Sequence, residues 1–247
     1  KEDKFMDWLM TFPQEKKKET DYWGRNYTLY CKKISNNVFF MSFAKELHDV
    51  IGQKTDSGII NKPIENYKKC HILLNSEHQW MVIEKNPAIS AKIEGQKNII
   101  ASVISKFLKP KNLYFEIGIM AEKKYFWEYV AANKDCITDI QITLTSPNFL
   151  EGIKTVNSFL HKTKETYNNT SVSIQLKNEE GHLNIDSNNE FLQDAIQYSS
   201  SGGGKWKIKS NIDKKGCSNT DNPFIIQLPD DIGKLKDSDL QLINNTF

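Results

Sequence analysis

The chain has 247 residues, of which 38% are hydrophobic and 26% charged, and it contains no apolar run of about 18 residues, the length of a membrane span. These proportions exclude a membrane span, a collagen-like fibre, a disulfide-dense scaffold and a mostly disordered protein. The formal net charge is +2, and Arg25 is the one arginine among 33 basic residues. Recognition of anions therefore has to rest on lysine, a point charge, because the bidentate guanidinium fork is almost absent.

The four cysteines occur singly along the chain, at Cys31, Cys70, Cys136 and Cys217, and no two of them form a CxxC pair. The sequence also opens without the apolar stretch of a secretory leader. Isolated thiols are typical of reducing compartments. We therefore expect a cytoplasmic protein without a disulfide framework.

Residues 1–24 are predicted to form a short docking helix and a linker. Apolar side chains fall on one helical face between Asp3 and Phe12, and Pro13 ends that pattern. The charged run 15–19 then has the composition of a solvated connector.

Residues 25–87 are predicted to form a domain rich in β-hairpins. The stretch 27–44 is β-rich and aromatic, and Ser35-Asn36-Asn37 has the chemistry of a hairpin turn. A second hairpin is predicted from 70–74 and 79–85. Between the two hairpins, residues 48–66 contain two glycines and a proline, which predicts a long surface loop.

Residues 88–228 are predicted to form an αβ domain that opens with a long helix ending at Lys109-Pro110. Its buried face is marked by apolar residues at spacings of three and four: Ile99, Ile100, Val103, Ile104, Phe107 and Leu108.

Strands and helices then alternate in a regular way. The predicted strands are Leu113–Met120, Ile137–Thr145, Ser171–Lys177, His182–Asp186 and Lys205–Ser210, and the predicted helices are Glu122–Asn133, Phe149–Tyr167 and Asn188–Ser199. Without the first strand and helix, the order is β-α-β-β-α-β, which is the ferredoxin-like arrangement. The sequence therefore predicts an α+β protein, with a β-rich N-terminal domain, a ferredoxin-like αβ domain and a polar C-terminal tail at 229–247.

Strong catalytic signatures are absent from the sequence. It contains no P-loop, no Rossmann glycine fingerprint, no HExxH zinc motif, no GxSxG nucleophile elbow and no RxxxxxH ribonuclease motif. Cys70, His71 and His78 carry metal-ligand chemistry at one hairpin end, with Cys31 as a distant fourth group. A structural zinc site needs four ligands, and neighbouring strand residues point to opposite faces, so a buried thiol beside exposed imidazoles is the alternative, and we predict no metal site.

A polar face is predicted for the hairpin of 171–186. If 178–181 is its loop, Lys177 faces His182, Gln175 faces Asn184 and Ser173 faces Asp186, opposite a wholly apolar side. Lys177, His182 and Asp186 would then form an acid–base site, or Gln175 and Lys177 would lie where a PD-(D/E)xK nuclease places its acid and lysine. An ordinary solvated sheet face produces the same pattern.

A row of lysines alternates with apolar residues near the end of the αβ domain. On a strand, Lys205, Lys207 and Lys209 project from one face while Trp206 and Ile208 enter the core. Their spacing of about 6.6 Å suits contacts to successive phosphates. Lys214 and Lys215 continue the charge past the strand, and the glycines at 202–204 predict a mobile or closely approaching backbone. The alternative is an edge strand that lysines protect from aggregation.

Aromatic residues crowd the helix predicted at 122–133. Phe126 and Val130 are expected to face the core, whereas Tyr125, Trp127 and Tyr129 are expected to cover a neighbouring surface. That surface would serve as a stacking platform or as packing within the protein.

The order of these segments resembles the RexA proteins of lambdoid phage exclusion. The similarity is carried by Tyr30–Ile34, Val38–Phe40, Phe115–Ile117 and Val172–Leu183, within an element order that covers about residues 25–210. The stretch 126–142 is also similar to bacterial families found among anti-phage defence genes.

This resemblance implies a cytoplasmic homodimer that binds DNA with little sequence preference, senses phage infection and triggers abortive infection. It carries over no catalytic residues. The scarcity of arginine departs from what a DNA clamp normally uses, so phosphate binding would rest on lysine alone.

Three functions stay open from the sequence. The first is a nucleic-acid-binding sensor or effector of phage defence that uses the lysine row. The second is a nuclease toxin that uses the polar hairpin face, with His161 nearby and Mg²⁺ as its cofactor; otherwise no cofactor is expected. The third is a module that recognises a phage protein through Tyr125, Trp127 and Tyr129.

Overall fold

The computed structural model describes residues 17–20, 24–113, 115–145, 153–228 and 243. The helix predicted at 3–12 and most of the tail at 229–247 lie outside these residues. The chain divides into two compact units, one formed by Lys1–Glu116 with Gln227–Phe247 and the other by Ile117–Ile226. The helix that the sequence analysis assigned to the αβ domain therefore belongs with the first unit.

The first unit contains a five-stranded antiparallel sheet in which the strands follow chain order. Its strands are β1 (Lys17–Thr20), β2 (Asn26–Lys33), β3 (Val38–Thr55), β4 (Gly58–Asn75) and β5 (Trp80–Ile83). The predicted turn at 35–37 joins β2 to β3, and β4 pairs with β5 between Ile72↔Ile83 and Asn75↔Trp80. Both predicted hairpins are confirmed.

Residues 48–66 form the outer half of a long β-hairpin, so the prediction of a surface loop there is wrong. β3 and β4 are each 18 residues long and pair without interruption from Val38↔Asn75 to Thr55↔Gly58. Pro63 lies opposite Val50, in a part of the hairpin where β4 has no other described neighbour strand, which is a position that tolerates proline. Gly58 closes the turn with a φ of +130°, a backbone conformation that is unfavourable for residues with a side chain.

Helix α1 (Ile93–Leu108) packs on this unit as its periodicity predicts. Its buried apolar residues are Ile99, Ile100, Val103, Ile104 and Leu108. Gln96 is also buried, and its side chain donates to the carbonyl of Glu84 at 2.7 Å and accepts from the Asn86 N–H at 3.1 Å. A 3₁₀ turn, Lys109–Lys111, follows because Pro110 cannot continue the α-helix.

The second unit holds a four-stranded antiparallel sheet with interleaved helices. In chain order its elements are α2 (Lys124–Ala132), β6 (Ile137–Thr145), α3 (Lys154–Tyr167), β7 (Ser171–Lys177), α4 (Glu190–Ser200), β8 (Gly204–Ser210) and β9 (Cys217–Ser218). The strand order is β7-β6-β8-β9. The predicted α+β class, a β-rich sheet followed by an αβ region, is confirmed.

Two predicted strands do not form. Of the described residues in the first, 113 and 115–119 lie in no strand, and Met120 makes an isolated bridge to Ser201. Residues 182–186 are extended without a ladder, and the Leu183 N–H bonds the carbonyl of Ile137 at the start of β6. The observed pattern is therefore β-α-β-α-β, closed by the short β9.

One side of the second sheet packs against the helices. Its strands bury Ile140, Ile142, Leu144, Trp206 and Ile208 in a core shared with Phe126 of α2, Val156 and Leu160 of α3, and Ala195, Ile196 and Tyr198 of α4. The Trp206 ring meets Phe126 edge to face, with ring centroids 5.3 Å apart. Because the helices cover this side, the alternate residues of each strand face away from the core. Across the described residues, no helix has the length and apolar content that spanning a bilayer requires.

Candidate nucleic-acid interface

Strand β8 separates lysines from apolar side chains as its alternation predicts. Trp206 and Ile208 are buried, whereas Lys205 and Lys207 are exposed and Lys209 is half-exposed. The Trp206 indole also donates to the Ser200 hydroxyl at 3.1 Å. These contacts fix the facing of β8, so Lys205, Lys207 and Lys209, called the lysine row below, lie on the side away from the core.

The glycines at the start of β8 serve close packing. A Cβ atom at Gly204 would collide with the carbonyl oxygen of Thr143 on β6, and one at Gly203 would collide with the ring of Tyr198. Of the two roles predicted for 202–204, the structure shows the closely approaching backbone.

The strand register aligns the lysine row with polar residues on two further strands. Lys209 lies opposite Asp139, Lys207 opposite Gln141 and Lys205 opposite Thr143. On the far side of β6, the same three residues face Lys177, Gln175 and Ser173. We call this set of nine residues the polar face. It extends over three strands, about 10 Å across, and over about 14 Å along β8.

A bulge lies in β6 beyond the Asp139 end of the polar face. The register with β8 shifts between Ile137 and Asp139, so that Ile137 and Ile140 are both buried although they are three residues apart. The bulge lets Ile137 face the core, while Ile140, Ile142 and Leu144 set the alternation in the rest of β6.

Hydrogen bonds join the side chains of β6 and β7 on the polar face. Gln175 donates to the carboxylate of Asp139 at 3.0 Å, and the hydroxyls of Thr143 and Ser173 are 3.1 Å apart. Lys177 bonds Glu179 at 2.7 Å, an ion pair that raises the pKa of the lysine and lowers the pKa of the glutamate. Acidic groups therefore accompany the lysine at the β7 edge, and the positive charge of the face concentrates on β8.

β8 is an interior strand of the described sheet. β6 pairs with one side of it, and on the other side Lys207 and Ile208 pair with Ser218 and Cys217 of β9. The backbone N–H of Trp206 donates to the side-chain oxygen of Asn219 at 3.2 Å. The interpretation that the lysines protect an edge strand does not fit this position.

The turn after β8 carries two further lysines. Lys214 and Lys215 are exposed in it. The carboxylate of Asp213 accepts from the N–H groups of Lys215 and Gly216, both at 3.1 Å, and from the Tyr129 hydroxyl at 3.2 Å. The acidic residue of this turn is thus engaged in holding the turn, which fixes two more lysines beyond the Lys209 end of the row.

The predicted acid–base set is not assembled as the sequence suggested. Lys177 lies opposite Asp139 and not opposite His182, because β7 pairs with β6. His182 is exposed in the segment after β7, and the Asp186 carboxylate caps a turn by accepting from the Asn188 N–H at 2.8 Å. His161 lies exposed on α3. The facing of Lys177 with His182 and of Ser173 with Asp186 is therefore wrong.

Cys70, Cys31 and His71 lie in surroundings that differ from those of metal ligands. Burial raises the pKa of the Cys70 thiol to about 12, and that of Cys31 likewise to about 12. The His71 ring nitrogen lies 2.8 Å from a carboxylate oxygen of Glu84. Within the described residues, no group of three or more His, Cys, Asp and Glu side chains is arranged to hold a metal ion.

The aromatic residues of α2 belong to the core of their own unit. Phe126 is fully buried, as predicted, and Tyr125, Trp127 and Tyr129 are partly buried against the same cluster. The Tyr129 hydroxyl bonds Ser210 as well as Asp213, and burial raises its pKa. Of the two roles expected for this surface, these contacts favour packing within the protein.

The lysine row and the polar side of β7 were predicted from the sequence, but the residues of β6 that connect them were not. Asp139, Gln141 and Thr143 alternate with buried Ile140, Ile142 and Leu144 in β6. That alternation was the available signal, because it assigns β6 the same two-sided character as β8. Comparison of the chain with protein-family models, with curated proteins and with solved structures finds no match.

Proposed function

We propose that this protein binds nucleic acid through the polar face, with the lysine row contacting successive phosphates. The observation that carries the proposal is the row itself: three lysines in line on an interior strand whose alternate residues are locked into the core. A rigid strand holds the three charges in place, so less side-chain and backbone order has to be gained on binding.

The chemistry of the polar face favours contacts to the nucleic-acid backbone. Its nine positions are lysine, aspartate, glutamine, serine and threonine, without an aromatic residue to stack on a base. Hydroxyl, amide and ammonium groups contact phosphates and sugars, which position a nucleic acid without reading its sequence. We therefore expect binding with little sequence preference.

The identity of the partner and the biological role rest on the resemblance to RexA proteins. That resemblance favours DNA over RNA, a homodimer, and a cytoplasmic sensor or effector of abortive infection that responds to a phage component. Lysine abundance alone would not select among these roles, because the net charge of +2 describes no generally basic surface.

The test compares Lys205→Ala/Lys207→Ala/Lys209→Ala with Lys123→Ala/Lys162→Ala/Lys164→Ala. The control removes the same charge from exposed positions on the helical side of the second unit. Fluorescence anisotropy with labelled duplex and single-stranded DNA and RNA is measured at 50 mM salt, and the recovered probe is run on a denaturing gel. We expect at least about tenfold weaker binding for the lysine-row variant, about unchanged binding for the control, and an intact probe. Equal affinity of the wild type and the lysine-row variant would reject the interface.

A further inference from the structure

The end of the long hairpin is a two-stranded ribbon that extends beyond the rest of the first sheet. β2 pairs with β3 only as far as Lys45, and β5 pairs with β4 only from Ile72, so among the described strands residues 48–66 pair only with each other. We call residues 48–66 the distal ribbon. A two-stranded ribbon is marginally stable in water unless something packs on it or pairs with it.

The distal ribbon exposes large apolar side chains from both of its strands. Val50 and Ile51 of β3 are 64% and 44% exposed, and Ile59 and Ile60 of β4 are 78% and 49% exposed. Neighbouring residues of a strand point to opposite faces, so apolar groups occur on both faces of the ribbon. Such a distribution is typical of a segment that is covered by a partner.

The two long edges of the ribbon differ in how they are protected. The β4 edge carries Lys62 and Pro63, and farther along Lys68 and Lys69, which are residues that hinder pairing with another strand. In the ribbon β3 contains no proline, and its charged residues, Asp49 and Lys54, flank the uncharged stretch from Val50 to Gln53. The β3 edge is therefore better able than the β4 edge to pair with an additional strand.

We propose that the β3 edge of the distal ribbon pairs antiparallel with the same edge of a second copy of this chain. Antiparallel pairing of two identical strands is symmetric about a two-fold axis, which is the geometry of a closed dimer. It joins two ribbons into a four-stranded sheet, brings the apolar residues of both copies together and supplies partners for the N–H and C=O groups of the two edges.

Charge favours a second copy as the occupant. Self-pairing of the β3 edge joins the stretch 48–55 of each copy through backbone hydrogen bonds. The acidic residues of the ribbon, Asp49, Asp56 and Glu65, nearly balance its basic residues, Lys54 and Lys62, which does not suit a polyanion. Charges beside the turn, at Lys54 and Asp56, also oppose insertion of the tip into a bilayer.

Sedimentation equilibrium of the full chain, in the absence of nucleic acid, tests this proposal. The variant Val50→Lys/Ile51→Lys places two charges on the β3 edge, and Ile59→Lys/Ile60→Lys places two charges at equally exposed positions on β4. We expect a wild-type dimer, a dissociation constant at least about tenfold higher for the β3 variant, and a change of no more than about threefold for the β4 control. Circular dichroism checks that both variants fold.

Hydrogen exchange of the unmodified protein provides a second readout. We expect amide protection in β3 between Glu46 and Thr55 to rise with protein concentration, while protection in β8 stays constant. A wild type that sediments as a monomer at about 100 µM, or equal weakening by the β3 and β4 variants, would overturn the proposed pairing. Neither result depends on the lysine row, so this proposal and nucleic-acid binding succeed or fail separately.

Discussion

Strand β8 and the distal ribbon are both exposed β-structure, yet their side chains are arranged in opposite ways. In β8 every second residue is buried, and the exposed positions between Gly204 and Ser210 are lysines. In the distal ribbon no helix or second sheet covers either face among the described residues, and apolar and polar groups occur on both faces. A sheet with one covered face displays a chemically uniform surface, whereas an uncovered ribbon displays a mixed one. The first arrangement suits a polyanion, and the second suits another protein chain.

The largest expected effect is on the covered side of β8. Trp206→Ala removes a side chain that is 1% exposed together with its bond to Ser200, and we expect about 3–5 kcal/mol of lost stability. Val50→Ala in the distal ribbon is expected to cost no more than about 0.5 kcal/mol in the monomer, because Val50 is 64% exposed. Urea unfolding measures both changes. Similar losses for the two variants would show that the ribbon has a covered face after all.

The next effect concerns the approach of β8 to β6. Gly204→Ala introduces a Cβ that meets the Thr143 carbonyl oxygen, a backbone atom that moves only with its strand. We expect a loss of about 1–3 kcal/mol in urea unfolding and weaker binding of nucleic acid, since the lysine row would shift relative to β6. The control is Gly58→Ala in the turn of the hairpin, where an added Cβ meets no atom within 4 Å. A Gly204→Ala variant as stable as the wild type would contradict the close packing of the two strands.

Alkaline pH is expected to weaken the first unit through its buried thiols. The pKa of Cys31 and that of Cys70 are raised from 9.0 to about 12, so both thiols keep their protons in the folded chain at a pH where the unfolded chain has lost them. Stability therefore falls as pH rises above 9, by about 1 kcal/mol per thiol at pH 10. Urea unfolding midpoints between pH 8 and 10 measure this loss of stability. The variant Cys31→Ala/Cys70→Ala should show a smaller fall of the midpoint with pH. A fall unchanged in that variant would assign the loss to other groups.

The smallest effect is electrostatic and concerns the polar face. Asp139→Asn removes the acidic group opposite Lys209 and keeps an oxygen that can accept from Gln175. We expect about two- to threefold tighter binding of nucleic acid at low salt. Asp186→Asn changes a carboxylate that caps a turn outside the face, and its binding should match that of the wild type. Tighter binding by both variants would show that the affinity depends on the net charge of the protein and not on the local charge of the polar face.

Local sequence patterns predicted the parts of the fold whose side chains meet a single covered face. The spacing of Ile99, Ile100, Val103, Ile104 and Leu108 located the buried face of α1, and the alternation around Trp206 located that of β8. Both patterns follow from burial on one side only. The half of the site on β8 was predicted for this reason.

Features that depend on distant partners were not accessible in the same way. β7 was expected to pair with the next segment, 182–186, because neighbours in sequence commonly form hairpins, but it pairs with β6 across helix α3. Because β7 pairs with β6, Lys177 lies opposite Asp139 and not opposite His182. Residues 48–66 show neither the alternation of a half-buried strand nor a continuous apolar run, so glycine and proline suggested a loop.

The salt dependence of nucleic-acid affinity tests the central claim most directly. Each neutralised phosphate of a duplex contributes about −0.9 to the slope of log K against log salt concentration. We expect a wild-type slope of about −3 to −4, and a slope smaller in magnitude by about 2.7 when Lys205, Lys207 and Lys209 are replaced by alanine. A slope that stays the same after this replacement would show that the lysine row does not contact phosphates, and would contradict the account.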